Sequence, residues 1–249
     1  DNNSLYEISI GSENGSVEAN TNGSGMFAYL DNVSTLDLSG LDTSNMTSMS
    51  KMFYNSKSLT NIDVSGLDTS KVVTMTNMFE GCTNLKDLDV SNFDTSNVTT
   101  MQYMFRKCAS LEKLNLSNFN NDKLKITSRM FWECSNLKIL VLSNFNTSNV
   151  IDMERMFSGC SSLITLNLSS FNTSKVTRMN DMFSNCSSLV DLNVSNFDTS
   201  NVTDMWRMFI NCTNLKEIDV SSFDTRKVVN MSAMFYACSS LVDLNLSNF

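Results

Sequence analysis

Seven cysteines are the residues of this chain best suited to metal binding or covalent cross-linking. They stand 26 residues apart, at Cys82, Cys108, Cys134, Cys160, Cys186, Cys212 and Cys238. A zinc site needs closely spaced ligands that converge from several directions, and a single row does not converge. Parallel side chains in such a row hold neighbouring sulfur atoms apart, and an odd number leaves one cysteine unpaired. The spacing therefore predicts unpaired thiols packed in the interior, with a metal site or disulfides as the alternative.

Residue types that support catalysis are sparse. The chain contains no histidine, which is the commonest general base and the commonest metal ligand. Its carboxylates recur at repeat intervals and do not converge in the pairs that acid–base catalysis uses. We therefore expect no enzymatic activity, no cofactor and no metal.

The net charge of −8 disfavours nucleic acid as a partner, because phosphate backbones are repelled. No run of 18 or more apolar residues is present, so we expect no insertion into a membrane.

The 26-residue spacing extends beyond the cysteines and defines the architecture. Within one unit, Leu88 and Val90 alternate with Asp89 and Ser91, which is the period of a half-buried β-strand. The spacing L-x-x-L-x-L of this segment is the strand signature of leucine-rich repeats. The dipeptide Met-Phe occurs nine times without insertion or deletion, at Met26, Met52, Met78, Met104, Met130, Met156, Met182, Met208 and Met234.

The second half of each unit has the spacing of a short helix. Met101, Met104, Phe105 and Cys108 fall at positions i, i+3, i+4 and i+7, which is one helical face. A lone unit cannot fold, because burying its apolar side chains roughly balances the ordering cost of about 1–2 kcal/mol per residue. Units must therefore stack. We predict an α/β repeat solenoid of the right-handed leucine-rich-repeat type, with short parallel β-strands on one face, short helical turns on the other and 26 residues per coil.

The two ends of the chain depart from the repeat. Residues 1–25 are polar except for the alternation of Tyr6, Ile8 and Ile10, and we interpret them as an N-terminal cap or approach segment. Residues 26–249 form the solenoid, about 8.6 repeats long by the sequence. The chain stops at Phe249, directly after a repeat strand and without a polar capping unit, which indicates truncation of a longer protein.

The repeat resembles a known family. The unit M-F-x-x-C-x-x-L-x-x-L-D-L-S-x-F-D-T-S-x-V is similar to the bacterial surface protein 26-residue repeat, a relative of the BspA-like leucine-rich repeats. The likeness covers residues 26–249 and departs from the pattern in 119–131, where Asn121 and Thr127 replace a threonine and a methionine. The resemblance implies an extracellular protein of the bacterial cell surface, anchored to the wall or to lipid outside this segment. It also implies a role in adhesion or host interaction, and it carries over no catalytic residue.

Residues that differ between units are the candidates for partner binding, because packing does not dictate them. Tyrosine, tryptophan and arginine are typical of binding hot spots, and they occur next to the repeat methionine among small polar residues. On the strand side, Val141 replaces an Asp or Asn. We predict a protein-contact patch from these positions, with neutral surface variation as the alternative. The candidate residues are Tyr103, Arg106, Arg129, Trp132, Val141, Arg155, Trp206, Arg207 and Tyr236.

Two rows of polar residues follow the strands. One row alternates Asp and Asn, from Asp37 to Asn245, and the next is serine, from Ser39 to Ser247. These rows could bind calcium, a sugar or ice, or they could form a solvated sheet face. Calcium prefers a cage of six to eight oxygen atoms, which a flat row does not provide, and the sequence leaves a calcium or sugar site open.

The sequence therefore favours a binding module over an enzyme. The preferred hypothesis is a non-catalytic module of the bacterial cell surface that binds a protein or glycan of a host or neighbouring cell. The alternative is a structural spacer or a stalk that associates with itself end to end and displays another domain.

Overall fold

Successive 26-residue units stack as coils of one solenoid. The computed structural model describes residues 5–11 and 15–249. Residues at equivalent positions in consecutive units pair as parallel bridges, from Asn22 with Ser48 and Ser48 with Thr74 up to Asp204 with Asn230. This column passes through every unit without a break. The prediction of a repeat solenoid is therefore confirmed.

Short parallel strands join neighbouring coils. The six strands are β1 Tyr6–Ser9, β2 Val17–Glu18, β3 Val33–Asp37, β4 Leu41–Asp42, β5 Lys113–Asn115 and β6 Ile139–Val141. Strand β1 pairs with β3, β2 with β4, and β5 with β6, all in parallel. Between these pairs the same part of the coil is joined by single bridges, such as Asp37 with Asp63 and Glu217 with Asp243. We call the side of the solenoid formed by β1, β3, β5, β6 and their equivalents the strand face.

The strands are short because each coil turns immediately after them. The carboxylate of Asp89 accepts a hydrogen bond from the amide of Ser91 at 2.9 Å, and Asn115 accepts one from Ser117 at 3.0 Å. An Asx side chain that captures the amide two residues later forms a tight turn. The same bond recurs from Asp37 to Asn245, which explains why Asp, Asn and Ser are the residues in these two rows.

The predicted helical turns are not confirmed, and within the described residues the structure contains no α-helix. The segment around each Met-Phe pair is a run of overlapping turns, in which Met78 donates to the carbonyl of Met75 at 3.2 Å. Every second amide of the segment donates to a carbonyl of the next coil, as the Phe79 amide does to the Met104 carbonyl at 2.9 Å. Positive φ angles of 60° at Asn77 and 77° at Gly81 direct the chain in this way. In a helix, every amide would donate to a carbonyl of the same segment, along the helix axis. Here, half of the amides donate to carbonyls of the neighbouring coil instead.

Aligned columns of apolar side chains fill the interior. The phenylalanines of the Met-Phe pairs form one stack from Phe27 to Phe235, with neighbouring ring centroids 5.2–5.7 Å apart and ring planes within 14°. The repeat methionines from Met52 to Met234 are buried beside this stack. Parallel offset rings at this separation attract one another beyond their burial. The 26-residue period thus sets one cross-section that is repeated in every coil.

The cysteines are free thiols within this core, as the spacing predicts. Six are buried and Cys238 is half-buried. Each thiol donates to the carbonyl of the phenylalanine 29 residues earlier, as Cys134 does to Phe105 at 3.0 Å. Where Ser56 replaces the cysteine, its hydroxyl donates to the carbonyl of Phe27 at 2.7 Å. Burial raises the pKa of Cys134 to about 12. The thiols therefore act as neutral donors that satisfy interior carbonyl groups.

A column of buried threonines links the corners of the coils. In six coils the Oγ1 atom donates to the carbonyl oxygen 25 residues later over 2.8–3.1 Å. Asn121 replaces the threonine in the divergent segment 119–131, and its buried Nδ2 atom has no hydrogen-bond partner. The segment nevertheless keeps its register, because Ile126 still bridges to both neighbouring coils. The divergence therefore affects hydrogen bonding and leaves the course of the backbone unchanged.

Lysine and asparagine alternate strictly at the position after the threonine turn. The row reads Asn45, Lys71, Asn97, Lys123, Asn149, Lys175, Asn201 and Lys227. Every lysine Nζ donates to the Oδ1 of the asparagine in the preceding coil, over 2.6–3.0 Å. Two lysines are consequently never adjacent in this row, which avoids the repulsion of stacked like charges.

The N-terminal segment follows the course of the coils. Strand β1 contains Tyr6 and Ile8, where the sequence alternation predicted a strand, and it pairs with the first strand of the solenoid. Residues 1–4 and 12–14 of the predicted cap lie outside the described residues. The division into a cap of residues 1–25 and a solenoid of residues 26–249 stays a prediction. No helix long and apolar enough to cross a bilayer is found among residues 5–11 and 15–249.

Candidate functional site

Five of the predicted contact residues come together on the turn side of three neighbouring coils. We call Tyr103, Arg106, Arg129, Trp132 and Arg155 the arginine–aromatic cluster. The guanidinium carbon of Arg106 lies 4.1 Å from the centroid of the Trp132 ring, and that of Arg155 lies 5.4 Å from it. Arg129 Nη1 donates to the Tyr103 hydroxyl at 3.0 Å. Both aromatic rings are thus in contact with arginines of adjacent coils.

Carboxylates beneath the cluster neutralise its charge. Arg106 pairs with Glu80 at 2.7 Å, and Arg155 pairs with Asp181 at 3.1 Å. Glu154, whose side chain is only 4% exposed, pairs with Arg129. A buried carboxylate is stable only when it is paired and hydrogen-bonded. The arginines therefore satisfy these carboxylates, and the buried Nε atom of Arg106 is left without a hydrogen-bond partner.

These carboxylates were not among the residues predicted from the sequence. Glu80 occupies the same repeat position as Arg106 and Trp132, two residues after the repeat methionine, and Asp181 occupies the same position as Arg155. The available signal was an acidic residue 26 residues away from an arginine, at the same position of the repeat. Comparing the charges at each repeat position would have found the pairs Glu80–Arg106 and Arg155–Asp181.

The backbone of the cluster excludes certain side chains. Tyr103, Arg129 and Arg155 directly precede the repeat methionine and have φ angles of 60°, 60° and 54°. A β-branched residue is strongly disfavoured at positive φ. The position therefore excludes Val, Ile and Thr, and it carries three of the five residues of the cluster.

The remaining predicted residues lie apart from the cluster. Trp206 and Arg207 form a separate pair with a ring-to-guanidinium distance of 4.2 Å. Tyr236 is exposed in the last run of turns. Val141 lies in β6 on the strand face, where it lines a depression of about 380 Å³ together with Ile139 and Lys113. The structure thus separates the predicted patch into one cluster and three outlying sites. Whether any of them binds a partner stays a prediction.

The Asp, Asn and Ser rows are engaged with their own backbone. The hydrogen bond from the Ser91 amide lowers the pKa of Asp89, and the equivalent serine bonds lower the pKa of Asp37, Asp63 and Asp219. Among the described residues, no group of three or more Cys, Asp or Glu side chains could hold a metal ion. The rows therefore provide a charged, solvated surface whose carboxylates stay ionised.

The family of the chain follows from its repeated unit. The model of a family described as "Mycoplasma protein of unknown function, DUF285" matches residues 21–139, 60–165 and 164–249. The chain belongs to this family. The three matches to DUF285 cover the whole solenoid, and the resemblance to the bacterial surface protein 26-residue repeat is confirmed. No curated protein sequence is significantly similar to this DUF285 chain.

Two solved structures resemble this DUF285 chain distantly. A leucine-rich repeat protein of Bacteroides ovatus has a TM-score of 0.34 and 14% identity, covering 88% of this chain and 66% of that protein. A leucine-rich repeat protein of Leptospira interrogans has a TM-score of 0.29 and 15% identity, covering 78% of this chain and 56% of that protein. Both likenesses are too distant to carry an argument about this chain. Because the chain spans less than two thirds of either protein, the activity and partners of the whole protein are proposals.

Proposed function

We propose that this chain is a non-catalytic protein-binding module of a bacterial cell surface, and that its partner docks on the arginine–aromatic cluster. One observation carries the proposal: aromatic and arginine side chains that packing does not require are gathered into one ordered group on the surface. Trp132 lies between Arg106 and Arg155, which belong to the two flanking coils. Tryptophan, tyrosine and arginine supply most of the energy in protein interfaces.

The ion pairs support binding by fixing the cluster before a partner arrives. Immobilising a long side chain in an interface costs about 0.5–1.5 kcal/mol. Arg129 is already held between the Tyr103 hydroxyl and Glu154, and Arg155 is held by Asp181. A partner that packs against Trp132 would therefore meet a surface that is already ordered.

Adhesion to a host or neighbouring cell is the role we propose for this binding, on the basis of the family. Leucine-rich-repeat-like modules commonly present protein-binding surfaces. A glycan partner is the less favoured form of the proposal, because tryptophan, tyrosine and arginine together are typical of the hot spots of protein interfaces. The extracellular location rests on the family resemblance, and we propose it together with the adhesive role.

Surface plasmon resonance tests the proposal directly. The immobilised chain is presented with purified plasma and extracellular-matrix proteins one at a time, and each binder is measured again with Trp132→Ala. The control is Tyr54→Ala, which removes an aromatic side chain at the same repeat position, three coils away. We expect at least about tenfold weaker binding with Trp132→Ala and no change with Tyr54→Ala. Circular dichroism would show that both variants are folded.

Two results would contradict the proposal. A panel in which no protein binds would favour the structural spacer. Binding that Trp132→Ala leaves unchanged would place the partner elsewhere. Sedimentation velocity of the chain alone tests the stalk alternative, which requires association that increases with protein concentration.

A further inference from the structure

The polar pattern of the strand face is interrupted at its middle. In β6 the outward positions hold Ile139, which is 49% exposed, and Val141. In the next coil the same two positions hold Thr165 and Asn167. The same two positions are polar in every other coil from residue 33 onward. Two apolar side chains thus stand together where the other coils present polar ones.

This apolar centre lies in a depression rather than on a ridge. Ile139 and Val141 line a hollow of about 380 Å³ together with Leu88 and Leu114 of the two preceding coils, and its polar edge is formed by Asp87, Asp89, Lys113 and Asn115. The two leucines are buried and form its floor. Exposed apolar patches with a polar rim mark interaction sites on soluble proteins. The strand face therefore has a preformed apolar seat that the core does not require.

Carboxylates lie on both sides of this seat along the solenoid. Asp87 and Asp89 form one edge of its hollow, and Asp191, Glu217 and Asp219 follow it two and three coils after Ile139 and Val141. None of these five forms an ion pair in the part of the chain that the structure describes. At the centre, by contrast, the carboxylate of Glu112 is paired with Lys138 at 2.9 Å, so its charge is balanced. The free negative charge is thus at the two flanks and the apolar surface is between them.

We propose that the strand face binds an extended peptide segment of a partner protein, with apolar residues at its centre and lysine or arginine on both sides. The charge pattern selects this occupant, because each end of the segment would meet unpaired carboxylates while its centre fills the apolar seat. Lys113, which lines the same hollow, is placed to donate to a carbonyl group of the bound segment. The inference rests on the proposed protein-binding function and assigns it a second surface.

The length of the segment follows from the coil spacing. Asp87 and Asp191 occupy the same repeat position four coils apart, since 191 − 87 = 104 = 4 × 26. Coils joined as parallel strands lie about 4.8 Å apart, so the two carboxylates are separated by about 19 Å. An extended chain advances about 3.3 Å per residue, and about six residues span this distance. A segment of roughly eight residues would place basic side chains at both flanks.

Isothermal titration with synthetic octapeptides tests the proposal on the whole chain. The probe is KRSLISRK, and its controls are EESLISEE, with reversed charge, and KRSSSSRK, without the apolar centre. We expect binding of the probe and at least about tenfold weaker binding of both controls. Equal binding of KRSSSSRK would mean that charge alone acts, and the proposal would be wrong. Absence of binding by the probe would also overturn it.

Variants of the chain separate this surface from the arginine–aromatic cluster. Val141→Asn and Ile139→Thr introduce the residues that the next coil already carries, so the fold should tolerate them. We expect the double variant to lose probe binding at least about tenfold and Trp132→Ala to retain it. If the double variant binds the probe normally, the peptide lies elsewhere and the inference fails. Loss of probe binding only with Trp132→Ala would also refute it. Neither result bears on partner binding at the cluster, which is measured separately with the protein panel.

Discussion

Replacing Asn121 by threonine should stabilise the protein. Asn121 is buried, and its Nδ2 atom has no partner, whereas the threonine of the next coil, Thr147, donates to the carbonyl of Asn172 at 2.8 Å. Thr147 Oγ1 also accepts from the amide of Asn172 at 2.8 Å. Asn121→Thr would place the same hydroxyl opposite Asn146, which stands 25 residues later.

The expected gain can be worked out from these contacts. Removing a buried donor without a partner recovers about 1–3 kcal/mol, and a new hydrogen bond adds about 0.5–1.5 kcal/mol. The substitution sacrifices the 3.3 Å bond that Thr95 now donates to Asn121 Oδ1, which offsets about 1 kcal/mol. The net gain is about 2 kcal/mol. In a chain of this size 1 kcal/mol shifts the Tm by about 2–4 °C, so we expect a rise of about 4–8 °C.

Differential scanning calorimetry measures this shift, with Thr147→Asn as the reciprocal variant. Thr147→Asn introduces the same mismatch into a regular coil and should lower the Tm by a similar amount. A Tm that stays unchanged or falls in Asn121→Thr, while Thr147→Asn has no effect, would refute the role assigned to the threonine column. In a urea titration, an unchanged m value would show that the substitution alters the free energy of unfolding and leaves the surface exposed on unfolding unchanged.

Three further predictions concern the core, the surface row and the thiols. Phe131→Ala should destabilise the chain by about 3–5 kcal/mol, because it leaves a cavity within the phenylalanine stack; chemical denaturation with Phe131→Leu as the milder control measures this. Asn97→Lys places a third lysine between Lys71 and Lys123 and should lower stability by up to about 1 kcal/mol at low salt. High salt should reduce that loss, and Asn97→Ala should show no such salt dependence. Iodoacetamide should label only Cys238 in the folded protein, as mass spectrometry would show, since the other six thiols are buried. Burial raises the pKa of these thiols, to about 12 for Cys134, from an ordinary value of 9.0. Their contribution to stability is therefore complete below pH 9 and falls as the pH rises from 9 to 12, because the unfolded chain releases its thiol protons first. Denaturation midpoints that do not change over this range would contradict the interior position of the thiols.

The stacking of the coils was predictable from the sequence, whereas the conformation of the Met-Phe segment was not. An unbroken period of 26 requires equivalent side chains to lie one above another, so the columns and the buried thiols follow. The spacing of Met101, Met104 and Phe105 fits a helix equally well as a run of turns, because both bring these residues to one side. The difference is whether alternate amides bond within the chain or to the next coil. Apolar spacing carries no information about that choice.

One signal for the turns was nevertheless present. The positions one before and three after the repeat methionine have positive φ angles, as at Arg129 and Glu133. Across the nine units, neither position ever holds Val, Ile or Thr. A helix tolerates β-branched residues, so their absence indicates a left-handed backbone.

The candidate site was predictable in composition and only partly in arrangement. Variation between units identified Trp132 and its arginines, because core positions do not vary. The same reasoning missed Glu154, since one sequence does not show which charged residues are buried. It also grouped Val141 with residues of the turn side, although Val141 lies in β6 on the strand face.

The alternation of Lys71, Asn97 and Lys123 constrains how this solenoid could change its length. Excising a single 26-residue unit would leave the cross-section intact but would break the alternation: two lysines become neighbours if the unit carries an asparagine, and two asparagines become neighbours if it carries a lysine. Excising or duplicating two units, 52 residues, would preserve both the cross-section and the order of charges. Unequal recombination within such a gene should therefore be tolerated best in steps of two coils, and relatives of different length should differ by even numbers of repeats.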